Sequence, residues 1–308
     1  MERASFRVSA PGSVMLMGEH AVLDGSRCIV SAINKRVAVT CNPIEDRRIV
    51  IDSALGHFET DLDEPELKPP FDFATAAIAH LNEEIPGGVE LEIKSEIDSK
   101  VGLGSSAAVV AAASAIARRL AGLQCAPKLV MEHALSVIRF IQGRGSGADV
   151  AASTIGGVIG YRMDPREIFE FDNCIPLTLV YCGYKRPTPE VIDLVRDHKK
   201  KFPEGFIALY ELLNATVTEA LEAIEKEDWH RLGFLANFNQ GLMESMGVNN
   251  ADLSRIVYAL RESPGIYGAK ISGSGLGDCV IGIGTTSTKE LAGEVIEIAP
   301  SKTGLCFE

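Results

Sequence analysis

Four short segments hold the side chains of this sequence best placed to do chemistry. In Gly102-Leu103-Gly104-Ser105-Ser106-Ala107-Ala108, two glycines leave main-chain N–H groups open to a ligand, two hydroxyls follow, and an Ala-dense run predicts a helix over 107–120. The start of such a helix offers unpaired N–H groups and a positive dipole end, which suits phosphate. Ser105 and Ser106 can cap that helix, bind phosphate oxygens or ligate Mg²⁺. The same residues also make a plain Ser-capped turn. No Lys follows the second glycine, so this is not a P-loop.

The second segment, beginning at Gly143-Arg144-Gly145-Ser146-Gly147-Ala148-Asp149, is a turn leading into 150–153. Its glycines let a lone carboxylate approach a ligand, so Asp149 can serve as a base toward a hydroxyl, or simply cap a helix. The third, Lys270 to Cys279, sets Gly273, Gly275 and Gly277 between two strand signals. A hairpin needs fewer glycines, and the surplus points to main-chain approach to a ligand or to another domain, with a structural turn as the alternative. The fourth, Gly18 to Gly25, places an acid and an imidazole, Glu19 and His20, after a strand, a pairing that also occurs on plain surface turns.

These segments need a scaffold, and the hydrophobic pattern supplies one. Short strands are predicted at 6–10, 14–17, 29–33 and 37–41, broken by Pro11-Gly12, Asp24-Gly25 and Lys35-Arg36, as in an antiparallel sheet. A strand pair near 49–51 and 57–60, a helix over 73–82, a strand at 89–93 and a helix over 128–142 complete the first half. The second half opens with a buried strand at 177–182 and continues with helices over 189–201, 206–227, 229–246 and 250–261. Strands return at 268–272 and 279–284, followed by a helix over 289–296 and a short strand near Leu305. The boundary falls at 170–176, and no internal repeat or long linker interrupts the chain.

The chain has 308 residues, 46% of them hydrophobic, enough for roughly two domains with ample cores. A formal net charge of −12 argues against nucleic acid or an anionic membrane as partner, so an anionic substrate needs a local cluster of positive charge. Residues 1–10 carry Glu2, Arg3 and Arg7 without an apolar core, and the longest strongly apolar run, 107–117, is too short to span a bilayer; a cytoplasmic protein is expected. Seven cysteines form no C-x-x-C pair and read as buried thiols.

Taken together, the segments resemble the GHMP kinase superfamily. "APGSVMLMGEHAVLDG" at 10–25 is similar to its first motif, "VGLGSSAA" at 101–108 to the ATP-binding second motif, and "GAKISGSGLGDC" at 268–279 to the third, in family order and at family spacing. The resemblance implies a two-domain α+β fold: an N-terminal ribosomal protein S5 domain 2-like unit over 1–173 and a C-terminal ferredoxin-like unit over 174–308. It implies ATP along Gly102, Leu103, Gly104, Ser105, Ser106 and Ala107, Mg²⁺ on Ser106, and Asp149 as the catalytic group. Acceptor contacts fall to Glu19, His20, Ser146, Gly147, Ser272, Gly273 and Ser274. The implied reaction is phosphorylation of a small-molecule hydroxyl in isoprenoid precursor synthesis. "GEHAVLDG" resembles the mevalonate-phosphorylating branch, whereas "SKVGLGSSAAV", "QGRGSGADVAAS" and the Gly-Asp-Cys ending resemble the phosphomevalonate branch. Because the resemblance makes the first motif the substrate wall and the compact length is similar to that of the first branch, mevalonate is the expected acceptor and phosphomevalonate the alternative. A non-catalytic ligand sensor of the same fold is the reading from another class. The oligomeric state stays open, with a homodimer as the candidate assembly.

Two departures from the family pattern stand out. The first motif of the family carries Lys or Arg after Pro-Gly, whereas this chain has Ser13; Lys35, Arg36, Lys100, Arg144, Lys185 and Lys270 are the candidates to supply the missing charge. Between Glu132 and Asp149 there is no acid where the family places a second Mg²⁺ ligand, leaving Ser106, nucleotide and water, with Asp149 in the outer shell.

Overall fold

The computed structural model describes residues 4–98, 100–143 and 145–308, so Glu2, Arg3 and the candidate cation Arg144 lie outside it. The first sheet begins with two long antiparallel strands, β1 (Phe6–Met17) and β2 (Arg27–Ile44), joined through a 3₁₀ turn at Ala21–Asp24. The predicted breaks at Pro11-Gly12 and Lys35-Arg36 are bends inside these strands. Pro11 pairs with Arg36, and the register slips between Pro11 and Ser13 as a bulge. Gly12 serves close approach rather than chain reversal, since a Cβ there would lie 2.4 Å from the Leu103 carbonyl oxygen. The bulge thereby seats the glycine loop against β1.

β3 (Arg48–Ser53) and β4 (Gly56–Asp61) form a hairpin. Helix α1 (Asp72–Ala79) follows, and β5 (Gly88–Ser95) then runs parallel to β3 and antiparallel to β2. Helices α2 (Ser105–Leu120), α3 (Pro127–Gln142) and α4 (Ala148–Ile155) follow. Ten of the eleven residues Ala107–Ala117 of α2, all but Val109, are buried, and the alanines let this central helix lie close to the sheet and to its helical neighbours. α4 corrects the expected turn: Asp149 stands in the first turn of a helix. Two strands that the pattern did not announce, β6 (Val158–Arg162) and β7 (Glu167–Phe171), extend the first sheet beyond β2.

The second sheet starts at β8 (Leu177–Tyr181), followed by α5 (Thr188–Lys201), α6 (Pro203–Glu225), α7 (Trp229–Ser245) and α8 (Ala251–Arg261), then β9 (Ile266–Ser272) and β10 (Cys279–Gly284). Its order is β11-β8-β10-β9, with all pairs antiparallel. The helix expected over 289–296 is absent; residues 294–296 form β11 (Glu294–Ile296), paired to β8. The free edge of β8 captures this segment, and Ala292 at φ 58° with Gly293 packed on the Tyr181 carbonyl breaks any helix there. The chain ends in β12 (Cys306–Phe307), which returns to pair with β1 in the first sheet.

At the other edge, α7 covers β9. Asn237 accepts from the Ala269 N–H at 3.0 Å and Gln240 from the Ile271 N–H at 2.8 Å, giving edge amides the partners a further strand would provide. From the same helix Asn239 accepts from the Gly18 N–H at 3.4 Å, tying α7 to the first motif.

Candidate active site

The four segments singled out in the sequence converge on one cavity of about 520 Å³ between the two sheets. Its walls include Gly102, Gly104, Ser105, Ser106 and Ala107 from the glycine loop, and Ser146, Gly147 and Asp149 from the second segment. Glu19 and His20 come from the first motif, and Ser272, Gly273 and Ser274 from the third. Leu103 is the exception: its side chain turns into the core, while its carbonyl accepts from the Ser13 N–H at 3.0 Å.

Backbone conformation explains the glycines. Gly104 caps α2 at φ 68°, and a Cβ there would lie 2.2 Å from the Ser13 hydroxyl oxygen, so the loop and β1 touch only because this residue has no side chain. Neither Ser105 nor Ser106 caps the helix; Ser106 is exposed in the cavity, and the first-turn amides of α2 lack the intrahelical partners of later ones. Gly147 repeats the design at the start of α4, with φ 83° and a Cβ position 2.1 Å from Leu135. Tyr161 donates its hydroxyl to the Ser146 carbonyl at 2.8 Å and holds that turn.

Asp149 accepts a hydrogen bond from the Ser13 hydroxyl at 2.8 Å. Burial pushes its carboxyl above the usual range, opposed by that hydrogen bond and by the charge of Lys185. At another part of the cavity Glu19 is sealed by Lys270, whose ammonium donates to Glu19 Oε1 and to the Ile271 carbonyl. Both side chains are almost fully buried, and burial holds the Lys270 ammonium below the usual lysine range against the pull of Glu19. The second oxygen of Glu19 is buried without a hydrogen-bond partner. His20, at φ 60°, donates from Nε2 to the Ser274 carbonyl at 2.8 Å, and burial lowers its pKa, favouring the neutral ring. Ser272 donates to the Met15 carbonyl at 2.9 Å, so its hydroxyl holds the two sheets together.

Two residues acquire a place that the sequence had not given them. Asp278 closes the loop from the second sheet, accepting from the Gly102 N–H at 2.7 Å, with its other oxygen 3.7 Å from Lys185 Nζ. Ser13 had registered only as a missing cation, yet it is the hydrogen-bond partner of Asp149. The Asp after a glycine run was a signal for the first; nothing local announced the second. The cation candidates also separate. Lys270 is committed to Glu19, and Arg36 is bound to Ser9 and the carbonyls of Thr303 and Gly304. Lys185 is the one Lys or Arg among the described residues lining the cavity.

The arrangement is a buried carboxylate beside a glycine loop at the start of a helix, in a cleft lined from both sheets. Two family descriptions match the chain: the GHMP kinases N terminal domain over residues 72–157 and the GHMP kinases C terminal domain over residues 220–303. A curated mevalonate kinase of Pyrococcus furiosus is 32% identical over 92% of this chain and 90% of its own length. The chain belongs to the GHMP kinase family. Its two-domain fold is that of the GHMP kinases, as the structure of L. major mevalonate kinase in complex with R-mevalonate illustrates, with a TM-score of 0.77, 25% identity and 96% of each chain covered. Streptococcus pneumoniae phosphomevalonate kinase, in complex with phosphomevalonate and AMPPNP, shares the fold at a TM-score of 0.79, with 18% identity over 95% of this chain and 98% of its own. A galactokinase galactose-binding signature matches residues 2–43, a span that includes Glu19 and His20 of this GHMP kinase.

Proposed function

We propose that this GHMP kinase transfers the terminal phosphoryl group of ATP to the hydroxyl of mevalonate, serving isoprenoid precursor synthesis. The observation that carries the reading is the meeting, in one cavity, of the buried Asp149–Ser13 pair with the glycine loop at the start of α2. The acceptor oxygen bonds to the γ phosphorus as the bond from phosphorus to the β,γ-bridging oxygen breaks. That electron pair leaves on ADP, and the hydroxyl proton passes to Asp149. N–H groups of Gly104 to Ala107 receive phosphate oxygens, while Glu19, His20, Ser146, Gly147 and the 272–274 segment orient the acceptor.

Magnesium fits the donor set. Ser106 and Asp149 offer hard oxygen atoms, and no group of three or more His, Cys, Asp or Glu side chains among the described residues is placed to hold a metal alone. That suits an ion held largely by nucleotide phosphates and water. When bound through Ser106, with Asp149 in the outer shell, it would offset phosphate charge.

Mevalonate is favoured over phosphomevalonate by charge: one described lysine lines the whole cavity, and an acceptor carrying about three negative charges would have to share it with the nucleotide phosphates. The relatives named as mevalonate kinases over most of this chain support the same choice. A cytoplasmic location fits the reading, and among the described residues no helix is long and apolar enough to cross a membrane. Exposed Phe234 and Phe238 on α7, with Tyr267 on β9, support self-association as a homodimer.

The test is ADP formation with Mg²⁺ and ATP against mevalonate, phosphomevalonate, homoserine and galactose, with turnover expected for mevalonate. Turnover with another acceptor alone would reassign the substrate. ATP left intact with every acceptor, alongside a ligand-induced rise in melting temperature, would make the protein a sensor.

A further inference from the structure

The position after Pro11-Gly12 is Ser13, a neutral hydroxyl committed to Asp149, so β1 brings no cation to the reacting centre. Phosphoryl transfer nevertheless concentrates charge on the migrating group, and a site with one neutral wall must offset that charge from another. Lys185 stands in the segment between β8 and α5 and lines the same cavity as Asp149, near enough for its charge to act on that carboxyl, and about a third of its side chain is exposed. Its partner Asp278 is itself fixed: Oδ1 takes the Gly102 N–H at 2.7 Å, leaving Oδ2 toward the ammonium at 3.7 Å. A single carboxylate thus bridges the glycine loop and the lysine. The backbone there is committed to this geometry, with Asp278 at φ 72° and Gly102 leaving no room for a Cβ, which would lie 1.7 Å from Asp278 Oδ2.

We infer that Lys185, reaching over from the second sheet and positioned by Asp278 on the Gly102 amide, supplies to the transferring phosphoryl group the positive charge that Ser13 cannot. The inference rests on the kinase reading but not on the identity of the acceptor. As the acceptor oxygen bonds to the γ phosphorus and the bridging oxygen leaves with its electron pair on ADP, Lys185 exchanges no proton. It offsets charge on the γ oxygens. Asp278 is a positioning residue, acting through Lys185.

The deciding measurement compares binding of a non-hydrolysable ATP analogue with that of ADP, since Lys185 acts on the γ-phosphate alone. In Lys185→Met the preference for the triphosphate should fall about tenfold, the worth of a charge-assisted contact. Turnover should fall about 100-fold, with Lys185→Arg recovering part of it. Asp278→Asn keeps an acceptor for Gly102 and tolerates positive φ, so it should fold normally and show a smaller loss in the same preference. Placing Ser13→Lys in the Lys185→Met background should restore turnover about tenfold by returning charge from the other wall. A triphosphate preference unchanged in Lys185→Met, or triphosphate and diphosphate weakened equally, overturns the inference whatever the acceptor. If wild type turned over no acceptor in the panel while the binding ratio still fell, only the substrate assignment would fail.

Discussion

Glu19 and Asp149 line the same cavity, yet their immediate surroundings treat the two carboxylates in opposite ways. Glu19 is clamped by a fully buried lysine from the opposing sheet, so its charge is matched and its geometry fixed. Asp149 has only a serine hydroxyl in contact and a lysine acting on it through its charge, so burial dominates and its proton affinity rises. A carboxylate with a committed cation is suited to hold and orient. One with raised proton affinity and no contacting cation is suited to take a proton. The difference lies in what each surrounding sheet brings near, not in the side chains themselves.

Removing the charge of Asp149 is the most direct way to break this contrast. Asp149→Asn retains an oxygen to accept from Ser13, so the fold and nucleotide binding should persist while turnover falls about 10³-fold. Steady-state kinetics beside a calorimetric titration with ATP would check it, and turnover within threefold of wild type would remove Asp149 from the base role.

The Glu19 pair should fail by stability. Lys270→Met leaves a buried carboxylate without its cation, and chemical denaturation should show a loss of about 3–5 kcal/mol. Adding Glu19→Gln to that variant should recover much of the loss, because the remaining group is neutral. A loss below about 1 kcal/mol for Lys270→Met would mean that water reaches the pair.

A smaller effect sharpens the comparison through pH. Since Asp149 must be ionised to accept a proton and its pKa is raised, kcat/KM should fall on acidification with an apparent pKa above the ordinary carboxylate value of about 4. Lys185→Met removes a charge that favours the ionised form and should move that limb to still higher pH. Ser13 and Lys185 are the groups that oppose the rise, while the nearby Cys28 thiol is held neutral by burial and adds no negative charge. A limb at or below the ordinary value, or one unmoved by Lys185→Met, would contradict the electrostatic picture.

Much of the site was legible because its parts are local. A glycine needed at positive φ before a helix, as at Gly104 and Gly147, is written in the residue itself, and so is the Ala-dense helix behind it. Hydrophobic alternation marked most strands for the same reason. The failures were places where a distant partner outvoted local pattern. Residues 294–296 are a strand because β8 had a free edge, and Pro11-Gly12 is a bulge because the 102–104 loop must lie against it. β6 and β7 escaped notice beside Gly156 and Gly157, and α4 was shortened to a turn by the glycines before it.

By itself the sequence determined the family motifs, their order and the two candidate carboxylates, Glu19 and Asp149, because each depends on residue type and short spacing. Only the tertiary structure decided the pairings. Lys270 with Glu19 are 251 positions apart, Gly102 with Asp278 176, and Ser13 with Asp149 136. Whether a lysine is a buried counter-ion or a cation facing the reacting centre depends on which sheet it leaves and what lies opposite. No local pattern carries that information, because charge and burial act through space and not along the chain.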